Sequence, residues 1–228
     1  MTSTAVLIGT LDTKGREYEF VRAELESVGV DVLLIDVGVL GDPAIPVDVS
    51  AREVADAAGV PLDDLRFARE GSDTRAHALD VMSRGAVAIV SELRATGRCD
   101  GVLGLGGSGG SSLLSAVMRS LPLGVPKLLV STMGSGDVSS YVQSTDMCIM
   151  HSVTDIAGLN RISRPILRNA AGALAGMIAT ASAESDVEDA PAVGVTMLGV
   201  TTPAGLRIVE RLEGAGFDPI VFHTVGSG

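Results

Sequence analysis

Residues 5–37 read AVLIGTLDTKGREYEFVRAELESVGVDVLLIDV, and the reading of the whole chain turns on how this stretch folds. Residues 5–9 are a short continuous apolar run, as expected of a parallel strand covered on both faces. Tyr18, Val21, Leu25 and Val28 recur at spacings of three and four, which predicts one apolar helix face, and Gly29 supplies its stop. Residues 31–37 form the next buried strand. Strand, helix and strand in so few residues make a βαβ unit, right-handed by the usual crossover rule. The expected fold class is therefore α/β: a Rossmann-like parallel sheet with flanking helices.

The pattern continues downstream. Residues 41–49 are a proline-bearing loop, and Ser50 with Glu53 matches a capping box that opens a short helix. A second short helix is expected over 62–69. Ser72 or Asp73 can cap a long helix reaching towards Thr96, weakened at Gly85. Strands are predicted at 102–105 and 127–131, a helix at 111–121, and a further strand within 141–150. Residues 164–183 predict a helix with Leu167, Leu174, Met177 and Ile178 on one side. The acidic stretch 184–191, ESDVEDAP, marks the domain boundary. This divides the chain into an N-terminal α/β nucleotide-binding subdomain (1–185) and the first βαβ unit of a second subdomain (192–228). In that unit we expect strands at 193–200 and 220–223 around a helix at 204–215. A lone βαβ unit leaves its sheet edges unpaired, so either more of the same chain or another polypeptide is expected to complete it, the first being favoured.

Composition narrows the function classes. With 46% apolar residues the chain can build a folded core, and no apolar run is long enough to cross a membrane. A net charge of −11 argues against a nucleic-acid groove, and 3% aromatics against binding single strands by base stacking. Two cysteines, Cys99 and Cys148, imply no disulfide framework, and the N-terminus lacks the features of a signal peptide. The expected location is the cytoplasm.

Ligands of parallel α/β sheets gather at the carboxyl ends of strands. Four such ends here are rich in Gly, Ser, Thr or Asp: 9–15 (GTLDTKG), 104–112 (GLGGSGGSS), 131–137 (STMGSGD) and 201–205 (TTPAG). Glycines let main-chain N–H groups converge on an anion, and a following helix adds its positive end. One such loop is an ordinary tight turn. Three within one domain point to a polyanion such as a nucleotide. Gly104, Gly106 and Gly109 fit G-x-G-x-x-G, but the acid that a dinucleotide fold needs at the end of the next strand is missing, since that strand ends in Ser131 and Thr132. The P-loop pattern G-x-x-x-x-G-K-[ST] is also absent.

Other readings compete at the same residues. Gly106 to Gly110 also satisfies G-x-S-x-G, so Ser108 is a candidate serine-hydrolase nucleophile, with Asp137, Asp146 or Asp155 and His151 or His223 completing a triad. Lys14 can reach a phosphate as a point charge or be a solvated lysine. Asp12 or Thr13 can cap a helix, and Asp12 and Asp137 are candidates for holding a hydrated magnesium ion. His77 reads as a surface or helix histidine, and His151 as structural or functional. Cys148 and His151 fall on opposite faces of any strand, which argues against a metal pair. Asn160 and Arg161 can bind a base or phosphate, or end a helix.

Several stretches together resemble one family: GTLDTKGREYEFVR at 9–22, GLGGSGGSS at 104–112, PKLLVSTMGSGDVSSYV at 126–142, SVTDIAGLNRI at 152–162 and VTMLGVTTP at 195–203, with VFHTVGSG at the end. They are similar to the Tm-one-like ATP-binding domain family, a set of largely uncharacterised bacterial and plant proteins. One departure is STMGSGD, where the family pattern reads STMASGD. The resemblance implies homodimerisation and ATP with magnesium in the N-terminal half. Carried onto this chain, it assigns the ATP site to Thr10, Asp12, Thr13 and Lys14, to Gly106, Gly107, Ser108, Gly109, Gly110 and Ser111, and to Ser131, Thr132, Ser135, Gly136 and Asp137. Asp12 and Asp137 are the candidates for holding that magnesium. The expected function is an ATP-binding protein, an ATP-dependent enzyme acting on a small metabolite in one version. The alternatives are a serine hydrolase using Ser108 and a non-enzymatic interaction module stabilised by ATP.

Overall fold

The computed structural model describes residues 2–66, 72–181 and 190–225; the side chains of Ser72 and Asp73, the expected caps, lie outside that description, as does most of the acidic stretch 184–191. The opening βαβ unit forms as expected: β1 (Thr4–Gly9), α1 (Leu11–Ser27) and β2 (Asp31–Asp36), with the strands paired in parallel. Tyr18, Val21 and Leu25 are buried on α1, but Val28 is 61% exposed because the helix has already ended. Gly29 ends it with φ 83°, the left-handed conformation that glycine adopts without strain.

The chain then crosses to the other side of β1. Helix α2 (Ala51–Ala57) opens on the expected capping box, with the Ser50 hydroxyl accepting from Glu53 N and the Glu53 carboxylate accepting from Ser50 N. Helices α3 (Leu62–Arg66) and α4 (Ser72–Ala95) follow; residues 67–69, expected to extend α3, lie outside the described residues. Gly85 does not weaken α4. It lets α4 pack close against α2, since a Cβ there would stand 1.8 Å from the Val54 carbonyl oxygen. Next come β3 (Gly101–Gly106), α5 (Ser108–Arg119), β4 (Lys127–Ser131), a short α6 (Ser139–Val142), β5 (Cys148–His151) and α7 (Ser163–Ala181). Helix α5 starts three residues earlier than its apolar periodicity predicts, so Ser108, Gly109 and Gly110 form its first turn.

All five strands are parallel, in the order β2-β1-β3-β4-β5. One core layer packs α1 and α7 against one face through Leu25, Leu103, Leu167 and Leu174. The other packs α2, α4 and α5 against the opposite face through Val54, Met82, Leu114 and Val102. The result is a doubly wound, Rossmann-like α/β fold. Connections leave β1 in one direction and β3 in the other, so the carboxyl ends of these two neighbours form the topological switch point.

The chain divides into two compact units, Met1–Ala183 and Glu184–Gly228. The second holds β6 (Ala192–Met197), a single 3-10 turn, α8 (Thr202–Gly214) and β7 (Asp218–His223), with β6 and β7 paired in parallel. Among the described residues no helix is long and apolar enough to cross a membrane.

Candidate functional site

Three of the loops singled out in the sequence follow β1, β3 and β4, which are neighbours in one parallel sheet, so all three emerge on the same edge. They differ in what they meet there. Between β1 and β3 the strands are wedged by Tyr18, whose buried hydroxyl donates to the Ile8 carbonyl and accepts from Leu105 N at 2.7 Å. The phenol thus bridges two main-chain groups of adjacent strands and satisfies both where the strands part. Burial raises its pKa far above the usual tyrosine range. Gly9 is required beside it, since a Cβ at that position would lie 2.0 Å from the Tyr18 oxygen.

Over this crevice lies a cavity of about 750 Å³, within the usual range for small-molecule sites. Its polar side combines the first two loops. Thr10, Asp12, Thr13 and Lys14 come from the turn after β1, and residues 106–110 from the end of β3 and the start of α5. Lys14 sits at a kink in α1 (φ −125°, ψ 18°), separating a single turn over 11–13 from the regular helix. Ser111 N bonds to Gly107 O at 2.7 Å, which closes the first turn of α5. By helix geometry the N–H groups of Ser108, Gly109 and Gly110 then lack an intrahelical acceptor and carry the positive end of the helix. The apolar side is built by Val39, Leu40 and Leu65 and by the α4 residues Ala78, Leu79 and Met82.

Asp12 is no helix cap. Its Oδ2 accepts from Leu40 N at 2.9 Å, tying the loop after β2 to the cavity wall, while its Oδ1 is buried without a partner. Asp36, at the end of β2, braces the same wall from beneath: its Oδ1 accepts from Leu11 N at 3.0 Å and Gly38 N at 2.8 Å. Burial raises the Asp36 pKa, with Asp12 adding to the rise and the two amides opposing it.

The third loop ends differently. Ser131 and Ser111 are both fully buried and bond to each other at 2.6 Å, which pins the end of β4 to α5. Gly134 presses on β5, where a Cβ would meet His151 Cα at 2.9 Å. None of Ser131, Thr132, Ser135, Gly136 and Asp137 lines the cavity. Asp137 accepts from Ser139 N at 2.9 Å at the start of α6, and its hydrogen bonds with Ser139 hold its pKa below the usual carboxylate value. Asp12 and Asp137 are therefore not brought together at the cavity, and among the described residues no three Asp, Glu, His or Cys side chains gather to hold a metal ion.

Other candidates also find their places. Asn160 caps α7, its Oδ1 accepting from Ile162 N at 2.8 Å and Ser163 N at 2.9 Å. Asp146 pairs with the fully buried Lys127 at 2.7 Å. Among the described residues of the first unit, no hydrogen bond links Ser108 to a histidine or aspartate, and the His151 Nδ1 is buried without a partner. Ser108 also lacks positive φ, so the strained backbone of a nucleophile elbow is not seen there.

Residues 3–183 match the N-terminal domain, and residues 190–228 the C-terminal domain, of an uncharacterised protein family, UPF0261. The chain belongs to the UPF0261 family. A UPF0261 protein of Clostridium tetani is 40% identical over the whole chain, which covers 55% of that relative. Another, from Rhizobium meliloti, is 45% identical over 97% of the chain and 53% of its own length. The tomato (Solanum lycopersicum) ToMV susceptible protein tm-1(GCR26) is 39% identical over 97% of the chain and 31% of that protein. The Tm-one-like resemblance is thus one of family membership. The chain spans about half the length of the UPF0261 relatives it matches. Among solved structures, Acinetobacter baumannii MurG is similar with a TM-score of 0.38 and 10% identity, covering 98% of the chain and 58% of MurG, a likeness too slight to carry an argument.

The UPF0261 cavity holds two cations that sequence reasoning missed, Arg66 from α3 and Arg75 from α4. Neither lies in a motif; both arrive because α3 and α4 cross over the switch point. The residues fit a nucleotide in size, in converging amides, in cationic side chains and in an apolar wall. For magnesium the cavity offers the unpartnered Oδ1 of Asp12, which suits an ion held mainly by phosphate and water.

Proposed function

We propose that the first unit binds ATP with magnesium in the cavity between β1 and β3. The observation that carries this reading is the first turn of α5, whose amides open into a cavity lined by Lys14 at a topological switch point. A helix start, an ammonium group and a polar loop favour phosphates there. The apolar side of Val39 and Leu65, continued inward by Ala78 and Met82, suits a base that needs no aromatic partner. The identity of the nucleotide as ATP rests on the family resemblance.

The residues divide the work. The amides of Ser108, Gly109 and Gly110 hold phosphate oxygens, Lys14 neutralises charge from the opposite loop, and Asp12 orients the hydrated metal. Bound in this way, ATP would offer its terminal phosphoryl group to the hydroxyl or carboxylate of a small metabolite, with ADP as the leaving group. We place the protein in the cytoplasm as a homodimer, a reading supported by the resemblance and by the free thiols of Cys99 and Cys148.

Calorimetric titration with ATP·Mg tests the reading on the wild-type chain and on Gly107→Val. Gly107 has φ −82° and ψ −164°, open to any residue, and a Cβ there meets only Thr132 Oγ1 at 3.8 Å. The fold therefore tolerates the valine, while its side chain intrudes beside the amides. We expect wild-type binding and at least a tenfold loss in the variant. No binding by the wild type, or equal binding by both, overturns the proposal.

A further inference from the structure

Arg75 stands in an electrostatically awkward place. It lines the cavity from the first turn of α4, and its Nη2 lies 3.4 Å from where a Cβ on Gly109 would sit. Gly109 is in the first turn of α5, so the guanidinium faces the positive end of a helix, where a cation is disfavoured. Among the described residues no carboxylate is within ion-pair distance of Arg75. Arg66, the other arginine of the cavity, has its Nη2 committed to Gly41 O at 2.7 Å and Asp42 Oδ1 at 2.8 Å, and its Nε is buried without a partner, away from the exposed mouth where Arg75 stands. An oxyanion between Arg75 and the Gly109 amide turns the repulsion into two attractions. It accepts a charge-assisted bond from the guanidinium fork and another from the helix start.

The position of Arg75 along the cavity says which oxyanion. The floor is buried and apolar, with Ala78, Met82, Leu113 and Leu114 no more than 6% exposed. Arg75 is exposed at the mouth. A ligand that is apolar at one end and multiply charged at the other lies with its base inward and its last phosphate outward. The geometry points to a terminal-phosphate subsite between α4 and α5, in which Arg75 selects a nucleoside triphosphate over the diphosphate and monophosphate. This inference rests on the nucleotide reading and sharpens it. Lys14, on the loop across the cavity, is a point charge that attracts any of the phosphates, whereas the planar fork of Arg75 requires an anion at one place.

The test is a set of calorimetric titrations with ATP, ADP and AMP at fixed magnesium, on wild type, Arg75→Ala and Arg75→Lys. The side chain is exposed, and thermal melts establish that the variants are folded. In the wild type, ATP binds at least tenfold tighter than ADP, the scale expected of one charge-assisted arginine contact. In Arg75→Ala this ratio falls below threefold while AMP affinity stays within twofold of wild type. Arg75→Lys recovers only part of the ratio, because it returns the charge without the fork. An unchanged ATP to ADP ratio in Arg75→Ala overturns the inference and leaves the nucleotide reading standing. Equal losses for all three ligands overturn it too, because they make Arg75 a general attractor. If the wild type binds none of the three, both proposals fall.

Discussion

The carboxyl ends of β3 and β4 both carry loops rich in glycine and serine, GLGGSGGSS and STMGSGD, yet one opens into a cavity and the other does not line it. The difference is topological. The loop after β3 faces β1 across the switch point, where the connections diverge and Tyr18 bridges the separating strands. The loop after β4 lies between strands whose connections run in the same direction. There the Ser111–Ser131 hydrogen bond and the close contact of Gly134 with His151 fill the space. Glycine and serine make an anion site possible; the divergence of the chain makes room for one.

Substitutions at the two ends can sharpen or break this contrast. The largest effect is expected from Gly9→Ala, whose Cβ falls within 2.4 Å of three Tyr18 atoms in the buried core. We expect a loss of about 3 kcal/mol in urea unfolding, together with loss of ATP binding. A near-native stability would show that the crevice can be rebuilt around the wedge. Next comes Tyr18→Phe, which leaves Ile8 O and Leu105 N without the bridging hydroxyl. The expected cost is about 2 kcal/mol, with weakened ATP binding because the amides of the α5 turn shift with β3.

At the sealed end, Ser111→Ala strips Ser131 of its buried partner and costs about 1 kcal/mol while leaving ATP affinity within twofold. If it weakens ATP as much as Tyr18→Phe does, the two ends are not functionally distinct. The smallest effect concerns Asp36. Its raised pKa means that its contribution to stability is full below the ordinary aspartate value and is lost as pH rises through the raised value. The stability of Asp36→Asn relative to wild type should therefore improve between pH 4 and pH 7 in thermal melts. A constant difference would contradict the burial assigned to this carboxylate.

Much of the fold was legible because local signals agreed with the final packing. The apolar run at 5–9, the face made by Tyr18, Val21 and Leu25, the stop at Gly29 and the capping box at Ser50 and Glu53 all appear where the sequence placed them. The start of α5 was misplaced because Ser108, Gly109 and Gly110 have poor helix propensity, which tertiary packing overrides. Gly85 read as a weakness because its packing partner, the Val54 carbonyl, belongs to another helix.

The candidate site was half legible. The loops after β1 and β3 could be read from their glycines and from Lys14. Arg66 and Arg75 could not, because only the crossing of α3 and α4 over the switch point brings them in. Tyr18 read as an apolar core residue, since its hydroxyl has meaning only beside two strands that part. The Asp12 and Asp137 pairing is not seen at the cavity, because Asp12 lines it while Asp137 accepts from Ser139 N at the start of α6.

Amide chemical-shift mapping during titration with ATP·Mg tests the central claim most directly. The largest shifts are expected at Ser108, Gly109 and Gly110, with smaller ones at Lys14 and little change across 133–137. Dominant shifts at 133–137, with the α5 turn silent, would contradict an anion site at the switch point.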